Sequence, residues 1–141
     1  IEKRYPTEKW PYESLFAVAS IYGVEFLEDN HRDAKGVMLA EFLDFHQAHG
    51  SPYGPETKLH RAAAFLIDTN IVRGNTLSGQ TPDGRDIQFS WWNRADGGAG
   101  LVKREPFTLS SLRGGALDFA AYDRFKVCRI DRVHEELSAD A

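Results

Sequence analysis

Apolar positions along this chain change their period near residue 75. Before that point they recur every three or four residues, as on one face of a helix. After it they alternate with polar residues, as on a half-buried strand. Leu15, Phe16, Ala19 and Tyr22 form the first apolar face, and Pro11 stands where a first helical turn tolerates proline. The pattern predicts a helix that starts near Pro11 and stops at Gly23 or runs on to about Glu28. Asp29 to Asp33 reads as a polar turn. A second helix is expected from about Asp33 to His49, with Val37, Leu39, Phe42, Leu43 and His46 inward and Gly50 as its stop. Ser51 to Pro55 is a loop by composition. A third helix follows from about Pro55 to Thr69, with Leu59, Ala62, Ala63, Leu66 and Ile67 inward.

The second half predicts strands. Thr76 to Gln80 leads into Thr81-Pro82-Asp83-Gly84-Arg85, where proline presets φ, aspartate bonds the local backbone and glycine accepts positive φ. Ile87, Phe89 and Trp91 then alternate with Gln88 and Ser90 in a strand from Asp86 to Trp92. Ala95 to Gly100 is a flexible connection, and Leu101 to Leu109 is a further strand interrupted or edged by Pro106. Ser110 to Gly115 turns the chain. Ala116 to Tyr122 and Phe125 to Val133 complete a hairpin joined at Asp123-Arg124. The expected architecture is α+β. A helical subdomain over 1–74 packs with an antiparallel five-stranded small β-barrel, of SH3 or Sm type, over 75–141.

The chain's 141 residues suit one domain, or two small modules sharing an interface. Cys128 is the single cysteine, so no intrachain disulfide forms; that suits a reducing, cytoplasmic setting. No apolar run approaches the roughly 18 residues of a membrane span. The first residues, Ile1 to Pro6, are polar, lack a signal-peptide core and lack a starting Met, which suggests a fragment or a processed chain. The net charge of −4 argues against a generic polyanion binder. Positive charge is concentrated locally in Lys103, Arg104, Arg113, Arg124, Lys126, Arg129 and Arg132, enough to permit contact with an anion.

Several segments of the second half, taken in order, are similar to a known domain. They are Ile87-Gln88-Phe89-Ser90-Trp91, Ala95-Asp96-Gly97-Gly98, Arg104-Glu105-Pro106-Phe107-Thr108-Leu109, Leu117-Asp118-Phe119-Ala120-Ala121-Tyr122-Asp123 and Cys128-Arg129-Ile130-Asp131-Arg132-Val133. Together they resemble the WYL domain, a small Sm/SH3-like barrel of bacterial regulators and some defence proteins. The resemblance spans residues 76–133, and Leu117-Asp118-Phe119 stands where the name-giving Trp-Tyr-Leu would. It implies a pocket for nucleotide or nucleic-acid ligands, with Arg104, Arg129 and Arg132 as the arginines placed to line it.

The candidate binding residues are therefore Arg104, Arg129, Arg132, Lys126 and Trp92. Arg129 and Arg132, three apart in one strand, would face opposite sides. One could enter an anion pocket, or each could pair with Asp131, Asp118 or Asp123. Trp91 and Trp92 also face opposite ways; one packs in the barrel, while the other lies under the helices, meets a partner or offers a stacking platform for a base. His46 and His49 have metal-ligand spacing, but no third ligand follows, so surface or capping roles are expected. Cys128 reads as a buried, inert thiol. No nucleophile elbow, phosphate-binding loop or dinucleotide fingerprint occurs, and no cofactor is implied. The expected role is ligand sensing or nucleotide or single-strand binding in a regulatory or nucleic-acid-processing protein. Its rivals are a protein-interaction module, or an enzyme whose His31, His46 or His49 meets carboxylates in one cleft.

Overall fold

The computed structural model describes residues 7–50, 53–113 and 125–136. Helix α1 (Trp10–Ala19) follows a 3-10 turn at Thr7–Lys9 and carries Pro11 in its first turn, where no intrahelical donor is lost. Strand β1 (Gly23–Glu25) leads into α2 (Glu28–Ala48), and α3 (Lys58–Asn70) runs directly into β2 (Ile71–Arg73). Helix α2 begins earlier than its apolar period implies. The expected turn at Asp29–Asp33 is its first turn, where Glu28 and Asp29 suit the positive helix end. His31 Nε2 also donates to the Ile71 carbonyl at 2.8 Å, fixing that turn to β2. Gly50, at φ +82°, ends the helix as predicted. Thr57 caps α3 by accepting from the His60 N–H.

Helix α3 is the hub. Leu59, Ala62, Ala63, Leu66 and Ile67 are all buried, as its periodicity predicts. Its alanines let α1, α2 and a 3-10 helix at Ile130–Glu135 approach closely. Strands β1 and β2 pair in parallel, Gly23 opposite Ile71 and Glu25 opposite Arg73. Three residues apiece are too few for an alternation to show in the sequence.

The second half corrects the barrel expectation. Strands β3 (Gln88–Arg94), β4 (Leu101–Thr108) and β5 (Cys128–Arg129) form an open antiparallel sheet in the order β3-β4-β5. This three-stranded sheet and the two-stranded parallel one replace a closed five-stranded barrel. Two local causes are visible. Thr76–Gln80 makes turns and isolated bridges, Asn75 to Gln80 and Gln80 to Asp86, in place of a leading strand. Of the expected strand Phe125–Val133, Phe125 makes an isolated bridge and only Cys128–Arg129 form a strand. Ile130 and Val133 are three apart and both buried, which suits the three-residue turn of a 3-10 helix better than the two-residue repeat of a strand. The expected strand at 116–122 and its hairpin turn lie outside the described residues.

Other β features follow the sequence. Gly84, at φ +86°, closes the predicted turn, with Thr81 N–H donating to the Arg85 carbonyl at 2.8 Å. Pro106 pairs with Ser90 of β3 on one side, and β5 reaches only Leu101 and Val102, so on its other side no described strand meets the proline, the environment a strand proline needs. A short helix, α4 (Leu109–Arg113), follows β4. The main core runs from α1, α2 and α3 to Trp92, Val102, Ile130 and Val133. Ile87, Phe89 and Phe107 make a second core against Tyr22, Val24, Val72 and Trp91. Alternation along β3 sends Trp91 to the second core and Trp92 beneath the helices.

Candidate functional site: a groove between two helices

Helices α1 and α2 both pack on α3 but approach each other far less closely. They leave between them a groove of about 370 Å³. On the α1 side it is lined by Ser14, Ala17 and Val18 with Ile21 just past the helix end, and its α2 wall is Val37, Met38, Glu41, Phe42 and Phe45. The residues on each wall recur at three- and four-residue spacing, so they stand one above another. Small side chains at Ser14 and Ala17 leave the space that the splayed helices open.

The groove is shut at one end. Ser14 Oγ lies 2.9 Å from His46 Nε2, and both side chains are buried. Ser14 Oγ also donates to the Pro11 carbonyl at 2.9 Å, which leaves the histidine nitrogen as donor to Oγ. Beside this tie, Trp10 packs on Phe45 with centroids 5.5 Å apart, and its edge meets His49 at 4.8 Å. His46 is ringed by Phe42, Phe45 and Tyr53 at 5.0–5.1 Å. Burial and, secondarily, the charge of His49 hold the His46 pKa below its ordinary value. At the other end Ile21 and Val37 are 49 % and 61 % exposed. Val37, expected on the buried face of α2, thus stands on the groove rim.

The serine and histidine tie helices together more than they equip a nucleophile. Ser14 sits inside α1 and its hydroxyl proton is given to the Pro11 carbonyl, so His46 is not placed to take that proton as a base. No carboxylate bonds His46 among the described contacts. The other histidines are dispersed. His49 Nδ1 donates to the Phe45 carbonyl at 2.7 Å, and His31 is committed to Ile71, fifteen residues from His46 and roughly 22 Å along the helix axis. Among the described residues no cluster of three or more His, Cys, Asp or Glu could hold a metal.

The five residues singled out from sequence fall in three places. Arg104, Trp92 and Lys126 line one small space with Phe125, Cys128, Val133 and Glu136, of about 10 Å³, the room of a single water. Arg104 is held there by the chain itself. Its Nε donates to Ser90 Oγ at 2.9 Å, and its guanidinium lies 4.2 Å from the Phe125 ring centre and 5.2 Å from that of Trp92. Glu136 Oε1 is 3.5 Å away. Trp92 is buried and donates its Nε1–H to Asn70 Oδ1. Arg129 and Arg132 lie elsewhere. Arg129 pairs with Asp131 through two contacts of 3.0 Å, and Arg132, in the 3-10 helix rather than a strand, pairs with Glu135 at 2.8 Å. The half-buried Cys128 thiol has its pKa raised, chiefly by burial. A further cavity of about 170 Å³, between the start of α1 and the β3–β4 loop, has Glu13 and Arg94 already joined across it at 2.9 Å.

Ser14 and Ala17 were not legible as site residues, because a small residue on a helix face signals only close packing. Comparison with protein families, curated proteins and solved structures finds no match for this chain. Among the described residues no helix is long and apolar enough to cross a membrane.

Proposed function

We propose that this is a ligand-sensing domain whose α1–α2 groove receives the apolar body of a small molecule, without catalysis. The observation that carries this reading is the groove itself. Its volume of about 370 Å³ falls in the range of small-molecule sites, and eight of its nine lining residues bring no charge. It is closed at the Ser14–His46 end, and Ser14 to Ile21 spans only about two helical turns, roughly 10 Å. A docked helix usually sets anchors over more than that length, so the shape favours a compact guest. Phe42 belongs both to the groove and to the core, so a bound guest and the packing of α2 on α3 are coupled. A reducing cytoplasmic setting belongs to the same reading.

Titration with the neutral fluorophore N-phenyl-1-naphthylamine tests it. Saturable enhancement is expected, and Ala17→Phe, which fills the groove from an exposed helix position, should abolish it while leaving the circular dichroism unchanged. Unsaturable binding, or binding indifferent to Ala17→Phe, counts against the groove.

A second reading is a nucleotide or single-strand site, as the WYL resemblance implies. It is favoured by the meeting of Arg104, Trp92 and Lys126 at one place. Nucleotide titration at two salt concentrations decides it, since a phosphate contact weakens as salt rises.

A further inference from the structure

The groove reading leaves one of its walls unexplained. Glu41 is the sole charged residue lining the groove, it is exposed, and it has no hydrogen-bond or ion-pair partner among the described residues. An apolar guest needs no carboxylate at the mouth. Resting on the groove reading, we infer that the site takes amphipathic cations: an alkyl or aryl body between α1 and α2, with an ammonium head on Glu41.

The local field supports that ligand class. On α2 the nearest cations are Lys35 and Arg32. Lys35 is turned toward α3, where its Nζ meets Asp68 Oδ1 at 3.0 Å. Arg32 precedes Glu41 by nine residues, roughly 13 Å along the axis and beyond a Debye length at physiological salt. Asp44, one turn beyond Glu41, is exposed and adds negative charge. The α1 wall brings no cation, and Glu13 on that helix is occupied by Arg94. Among the described residues of α1 and α2, no cation compensates the negative potential at the mouth. A neighbouring apolar surface strengthens such a contact relative to open water. Phe42, Phe45 and Met38 add polarisable faces and edges around the head.

The chemistry is separable from the groove by a matched series with one body and three heads: octylammonium, 1-octanol and octanoate. Each is titrated against bound N-phenyl-1-naphthylamine near neutral pH and low salt. Octylammonium should compete about two- to fivefold better than octanol, and octanoate worse by a similar factor. Glu41→Gln should draw all three toward the octanol value, and added salt should compress the spread in the unchanged protein. If the three compete equally, or if their order survives Glu41→Gln, the head-group inference is overturned while the groove reading stands. If the fluorophore itself does not bind, both fail together. If no octyl compound competes but a basic amphipathic helical peptide does, the site is a peptide groove and the small-cation inference is overturned.

Discussion

Trp92 donates its indole N–H to Asn70 Oδ1 at 3.0 Å, and the same Asn70 donates its amide to the Ala19 carbonyl at 2.9 Å. Asn70 is fully buried and stands where α3 ends, so one side chain joins the last turns of α1 and α3 to the middle of β3. Asn70→Ala leaves a buried indole donor and a buried helix-end carbonyl without partners. Each such loss costs about 1–3 kcal/mol. Urea unfolding followed by tryptophan fluorescence should show a clear drop in stability, and a change below about 0.5 kcal/mol would mean that water replaces the amide.

Two glycines should respond in opposite directions to alanine. At Gly36, inside α2, an added Cβ meets nothing within 4 Å, so Gly36→Ala should stabilise by about 0.5–1 kcal/mol through helix propensity. At Gly74 the same atom would lie 2.6 Å from Ile87 Cδ1 and 2.9 Å from the Gln80 carbonyl oxygen. Ile87 is fully buried and the carbonyl is backbone, so Gly74→Ala should destabilise by about 1–3 kcal/mol. Thermal midpoints of the two variants on either side of the parent confirm the pair; the same sign for both refutes it.

Acid should weaken the fold through His46. Its folded-state pKa lies below the ordinary value of 6.5 because burial disfavours the charged ring. Between those two values the unfolded chain binds more protons, so stability rises with pH across that window. The contribution is complete above the unfolded value and is lost as the pH falls through the folded one. His134, also lowered mainly by burial, acts with the same sign. Urea midpoints measured from about pH 7.5 down to about pH 5 should fall, and the fall should be shallower in His46→Gln. An equal slope in that variant would show that other groups set it.

The arginines should separate into two classes. Arg104→Ala removes the donor to the fully buried Ser90 and empties the space beside Phe125 and Trp92, an expected cost of about 1–3 kcal/mol. Arg129→Ala and Arg132→Ala break short-range ion pairs on the surface, and their unfolding midpoints should stay close to the parent's. Equal effects at all three would mean that the Arg104 environment contributes no more than a surface pair.

Helix α3 was legible because one burial pattern governs it, whereas α1 ends at Ala19, short of the expected Gly23 or Glu28, and Gly23–Glu25 form β1 instead. Leu59, Ala62, Ala63, Leu66 and Ile67 lie inward on α3 as their spacing requires. The second half misled because Phe89 and Trp91 do alternate, whereas Ile130 and Val133 keep a spacing of three within what reads as one continuous strand. The groove did leave a trace. Val37, Met38 and Leu39 are consecutive on α2 and cover an apolar arc of about 200°, wider than one buried stripe. Leu39 packs on the core, Val37 turns to the groove and Met38 borders both, so the excess width marks a second apolar flank. The splay of α1 from α2 that opens the groove depends on how each sits on α3, a relation between distant segments that periodicity does not carry.

Strands β1 and β2 lie at the two ends of the segment that holds α2 and α3, with Gly23 beside Ile71 and Val24 beside Val72. Their few parallel bonds close a loop of nearly fifty residues, and the closure entropy of so long a loop outweighs what three residue pairs return. The pairing therefore reports that the helices have already docked. It serves as a late latch on the fold, set after α2 and α3 have carried the strand ends together.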